Sequence, residues 1–149
     1  ALSDAEYEPL RRELVWNRLV PERRPTAVVR VASVDDVVAA VRFAGRAGLR
    51  VSVRSGGHSW VAAPQRDGAL LLDLAALRGV EIDAGARRAR VQPGVIGREL
   101  SRLLAEHGLA FPTGHCSTVA LGGYLLAGGF GWNAGVWGPA CMSVRAVDV

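Results

Sequence analysis

From His107 to Val144 the chain contains no Asp, Glu, Lys or Arg, although charged residues are dense up to Glu106. A run of that length could cross a bilayer, but Pro112, His115, Asn133 and Pro139 interrupt it, and glycine recurs from Gly122 to Gly138. Main-chain groups freed at such breaks would go unsatisfied in lipid, which argues against a membrane span. Glycine lets main chain approach a neighbour that a side chain would hold off. The run therefore reads as backbone lying against something large, apolar and non-protein.

The rest of the composition narrows the chemistry. At 149 residues and half apolar, the chain is one globular domain or part of a larger one. All 18 basic residues are Arg, which removes Lys Schiff-base and P-loop chemistry. The net charge of +4 permits contact with polyanions, yet the arginines are scattered, so no nucleic-acid partner is expected. Cys116 and Cys141 are too few for a disulfide framework, and Cys141, in an apolar stretch, reads as an inert buried thiol. The first residues are acidic and lack a signal peptide's basic start and apolar stretch, so a soluble protein is expected, cytoplasmic or secreted with its signal removed.

Periodicity gives a coarse architecture. Ser3 with Glu6 has capping-box spacing, and a helix is expected from Asp4 to about Leu19, ended by Pro21 and Pro25. A short strand at Ala27 to Val31 precedes a second capping box at Ser33 and Asp36, and Val34, Val37, Val38, Val41 and Ala44 keep helical spacing up to Gly48. A strand at Arg50 to Arg54 completes a β-α-β unit of the kind that makes parallel pairs. Ala69 to Leu74 reads as a buried strand, and Val80 to Asp83 with Arg87 to Val91 as a hairpin turning through Ala84 to Ala86. Ile96 to His107 reads as an amphipathic helix closed by Gly108. This order implies an α+β fold, a β-α-β subdomain followed by the start of an antiparallel one. Arg145 to Val149 alternates like a strand cut short, so a longer protein is expected.

Two motifs carry chemistry. In Val53-Arg54-Ser55-Gly56-Gly57-His58-Ser59-Trp60, the glycines at a strand end can aim successive N–H groups at one anion, with a histidine beside it; the plainer reading is a turn whose His caps a carbonyl. Pro112-Thr113-Gly114-His115-Cys116-Ser117-Thr118-Val119 leads a thiol into the glycine-rich run; alone, Cys116 reads equally well as core. His58, His115, Cys116 and Cys141 lack the short paired spacings of a zinc site, and no third group orients a Cys–His nucleophile. Gly129 to Ala134 spells a dinucleotide fingerprint, but Gly135, Gly138 and Pro139 forbid the helix that must follow.

Taken together, Arg54 to Ser59 and Gly114 to Gly131, with Arg24 to Val38 before them, strongly resemble the FAD-binding domain of the berberine bridge enzyme-like flavoproteins. These belong to the vanillyl-alcohol oxidase superfamily, whose domain is also called PCMH-type. The resemblance covers nearly the whole of residues 1–149 and implies FAD held bicovalently, His58 on the 8α-methyl of the flavin and Cys116 on its C6. It assigns the pyrophosphate to Ser55, Gly56, Gly57 and Ser59. Close backbone contact falls to Gly122, Gly123, Gly129 and Gly131, with Arg54, Pro112, Gly114, His115, Thr118 and Val119 also lining the cofactor. Ala120 and Ala127 depart from the family's frequent glycines. Val119, small at a position that gates oxygen, favours an oxidase passing hydride from an alcohol, sugar or amine to O2, with a dehydrogenase or a non-catalytic flavin fragment as alternatives. Arg54 serves the flavin or pairs with Asp67 or Asp73. The base and the substrate domain are expected in a C-terminal part beyond these residues.

Overall fold

The computed structural model describes residues 4–149. They divide into two compact units, with the boundary between Leu77 and Arg78. The expected box at Ser3 lies outside the described residues.

In the first unit, α1 (Asp4–Glu13) is followed by β1 (Ala27–Arg30), α2 (Val34–Arg46), β2 (Val51–Arg54) and β3 (Leu70–Asp73). The Ser33 box forms as expected: its hydroxyl accepts from the Asp36 N–H, and the Asp36 carboxylate accepts from the N–H groups of Ala32 and Ser33. Gly48, at φ +66°, takes the left-handed turn that closes α2.

The sheet corrects the expected pairing. β1 and β2 are both parallel to β3 and lie either side of it, so β3 is the central strand. Its sequence explains the position: Leu70, Leu71, Leu72 and Asp73 are all buried, and a strand covered on both faces needs a continuous apolar run. Leu70 and Leu72 pack with Ala40 and Ala44 of α2.

α1 is shorter than expected. It stops at Glu13, and residues 14–17 turn to bond elsewhere in the unit: the Trp16 N–H donates to the Gly57 carbonyl, and Arg18 adopts φ +60°. Periodicity could not foresee this, because the residues that end the helix satisfy a loop about forty positions later.

The second unit holds the hairpin β4 (Val80–Asp83) and β5 (Arg88–Val91), then α3 (Gly97–Ala105), α4 (Leu121–Leu126), α5 (Ala134–Trp137) and a 3-10 turn at Ala140–Ser143. The hairpin puts its positive φ at Arg87 rather than Gly85. Val95, Leu100, Leu104, Leu121, Tyr124 and Ala140 form its core.

Three expectations change here. α4 forms inside the glycine-rich run, where Leu121 and Tyr124 supply one buried face. A single helical turn, α5, forms through Gly135 before Gly138, at φ +78°, stops it. Residues 145–149 form no ladder among the described residues; Asp148 there pairs with Arg90. Among the described residues no helix is long and apolar enough to cross a membrane.

Candidate functional site

In the first unit the site lies at the carboxyl ends of the parallel strands, where ligands of open α/β sheets bind. Arg54 and Asp73 are register partners across β2 and β3. Their side chains, both largely buried, form an ion pair of 2.6 Å. Arg54 also donates to the carbonyls of Leu14 at 3.1 Å and Ser55 at 3.3 Å. Of the two pairings left open by the sequence, Asp73 is the one formed, and Asp67 instead accepts from the Arg24 N–H. Arg54 thus fixes the root of the loop that carries His58.

Gly57 has φ +72°, and a Cβ there would run into the Leu14 carbonyl and come within 3.0 Å of Arg54 Nε. Only glycine fits this turn. The loop then presents His58 half-buried, its ring stacked on Trp16 with centroids 4.7 Å apart and planes 25° apart. Trp60 meets the other ring of this cluster, Trp16, edge-on at 5.7 Å. Ser55, Gly56 and Ser59 are likewise half-buried, and the Ser59 hydroxyl accepts from the Ala63 N–H at 3.0 Å. Sequence reasoning did not find Trp16; nothing in the spacing of a residue after a helix marks it as a partner of His58.

In the second unit, Pro112 is buried and its carbonyl accepts from the Tyr124 hydroxyl at 2.9 Å. Burial raises the Tyr124 pKa above its usual 10.0 and keeps the hydroxyl protonated as donor. A Cβ added at Gly131 would strike the Thr113 carbonyl and come within 2.9 Å of the Tyr124 hydroxyl, whereas one at Gly114 would lie 3.3 Å from Val119 Cβ and 3.4 Å from the Tyr124 ring. A Cβ at Gly129 would fall 2.6 Å from Ala140 Cβ. Gly129 and Gly131 are therefore required by the unit's own packing, a Cβ at Gly114 would be a tight contact, and one at Gly123 would meet open space. Ala120 is buried, so its methyl faces protein, while Ala127 is exposed.

The loop held by Tyr124 exposes His115, Cys116 and Thr118, with Val119 half-buried against the core. His115 meets Trp132 edge-on at 4.2 Å. The Cys116 thiol is exposed, and so is Cys141, which corrects the expectation that Cys141 is buried. The 3-10 turn at Ala140–Ser143 buries Ala140 and turns Cys141 outward. Leu126, Phe130, Trp132, Val136 and Met142 are also exposed, so the charge-free run carries several of its large apolar side chains on the surface.

Residues 25–149 match the family model described as an FAD binding domain. An FAD-linked oxidoreductase of Hypoxylon pulicicidum is 37% identical over 91% of this chain and 30% of its own length. Among solved structures, 6-hydroxy-D-nicotine oxidase of Arthrobacter nicotinovorans superposes with a TM-score of 0.82 at 35% identity, covering 93% of this chain and 30% of that one. A berberine bridge enzyme-like protein of Physcomitrella patens gives 0.82 at 30%, with the same coverages. A glucose dehydrogenase is also similar, with a TM-score of 0.85 at 28% identity over 97% of this chain and 31% of that one. The chain spans about 30% of the length of the curated relatives it matches. With the family model covering most of its length, the chain belongs to the FAD-binding domains of the berberine bridge enzyme-like branch of the vanillyl-alcohol oxidase superfamily.

Proposed function

We propose that the chain is the FAD-carrying part of an oxidase whose cofactor is joined to both His58 and Cys116. The observation that carries this reading is a pair of nucleophilic side chains, a half-buried imidazole and an exposed thiol, each on a loop held by dedicated contacts within a domain of the FAD-binding family. The donor set fits the group. Imidazole and thiolate are the side chains able to add to an electron-poor flavin, and the main-chain N–H groups of the Ser55 to Ser59 loop are of the kind that binds a pyrophosphate.

When bound, the flavin supplies two-electron chemistry, taking hydride from an alcohol, sugar or amine and giving the electrons to O2 as H2O2. The chain's own residues hold and orient it. His58 exchanges an N–H for an N–C bond and Cys116 an S–H for an S–C bond. Each bond would also displace one hydrogen from the cofactor, and the two protons and two electrons released per bond would reduce one O2 to H2O2. On this reading Ser55, Gly56, Gly57 and Ser59 would hold the pyrophosphate, and Val119 would leave oxygen a path.

The His58→Ala protein is expected to keep one denaturation-resistant link through Cys116, and Cys116→Ala one through His58. A single variant that keeps both links contradicts the assignment. Oxygen consumption with one H2O2 per substrate across a panel of sugars, secondary alcohols and amines supports the oxidase. Turnover only with an artificial electron acceptor supports a dehydrogenase, as the likeness to a glucose dehydrogenase suggests.

A further inference from the structure

We infer that Trp16 is a positioning residue for His58, its indole face holding the imidazole in the orientation from which the cofactor link forms. The inference rests on reading His58 as an attachment residue.

Four contacts join the segment after α1 to the His58 loop. The Leu14 carbonyl accepts from Arg54 Nε at 3.1 Å, the Trp16 N–H donates to the Gly57 carbonyl at 3.1 Å, the Trp16 ring stacks on His58, and Asn17 Nδ2 donates to the Trp60 carbonyl at 3.3 Å. The segment gives up helical continuation at Glu13 to make them. It also lies outside residues 25–149, the span matched by the FAD-binding family model.

The physical need is plain. The outer torsion of a histidine is broad, so an imidazole on a loop sweeps a wide arc unless something covers a face. A stacked indole covers a face and leaves the ring edge, where both nitrogens lie, outside the stack. Bond formation requires the attacking atom close to its target and aligned, so narrowing that arc raises the rate. Aromatic pairing of this kind biases orientation by about two- to tenfold.

The test uses the full-length protein with Cys116→Ala, so that any flavin surviving denaturation is joined through His58. Apoprotein is mixed with FAD, and the covalent fraction is followed by intact mass for native Trp16, Trp16→Phe and Trp16→Leu. The expected result is near-native incorporation for Phe, which keeps a ring face, and incorporation about two- to tenfold slower for Leu, which keeps only bulk. In apoprotein NMR spectra the His58 ring protons should move when Trp16 becomes Leu and stay close to native with Phe. Equal incorporation rates for Leu and native Trp16, with melting temperatures alike, overturn the inference. If the Cys116→Ala protein with native Trp16 takes up no covalent flavin, the attachment reading itself fails and the inference falls with it.

Discussion

At the residue scale, the His58 loop is fixed by two requirements of different kinds. Gly57 answers a backbone requirement, since its φ of +72° and the nearby Leu14 carbonyl leave no place for a Cβ. Gly57→Ala is expected to cost at least about 1–2 kcal/mol from conformation alone, read as a lower urea midpoint with an unchanged slope. Arg54 answers an electrostatic one. Asp73 sits on a fully buried strand, and a buried carboxylate is tolerable only when paired. Arg54→Met removes the cation that Asp73 is paired with, leaving it the Ala75 N–H at 3.2 Å, and is expected to destabilise by about 3–5 kcal/mol. Arg54→Met with Asp73→Leu should recover much of the loss; a double variant no better than the single one would mean that the pair is not what the site needs.

At the element scale, α1 is anchored by Glu8, which holds Arg11 at 2.6 Å and Arg12 at 3.1 Å. Hydrogen bonds from those two guanidinium groups lower the Glu8 pKa from 4.5 to about 2. A carboxylate depressed in the folded state stabilises fully above its unfolded value and loses that effect as pH falls. Stability should therefore decline between about pH 4.5 and 2, and Glu8→Gln should flatten that limb while lowering the melting temperature at pH 7. Melting curves across this range that are identical for the two proteins would remove Glu8 from the account. Elements with local signals were legible in the sequence: the Ser33 box, Gly48 and Gly108 as helix ends, and the apolar run of β3. What depended on distant partners was not. β3 came to lie between β1 and β2, α1 ended early to bind the His58 loop, and α4 formed because Leu121 and Tyr124 find a core.

At the scale of the whole molecule, the charge-free run proves to serve two purposes. Gly129 and Gly131 let the second unit close on itself, and Leu126, Phe130, Trp132, Val136 and Met142 are left exposed. The family resemblance singled out His58 and Cys116, since each motif alone also allowed a plain structural reading. Of the supports, Asp73 was one of two partners the sequence offered Arg54, whereas Trp16 and Tyr124 are recognisable only once the chain is folded. The central claim is that the domain carries its flavin by covalent bonds. The most direct test is the intact mass and visible spectrum, after denaturation, of the full-length protein purified without added flavin. The account predicts a mass raised by one FAD, with the yellow colour retained on the unfolded chain. A chain of unmodified mass whose colour passes entirely into solution would contradict it.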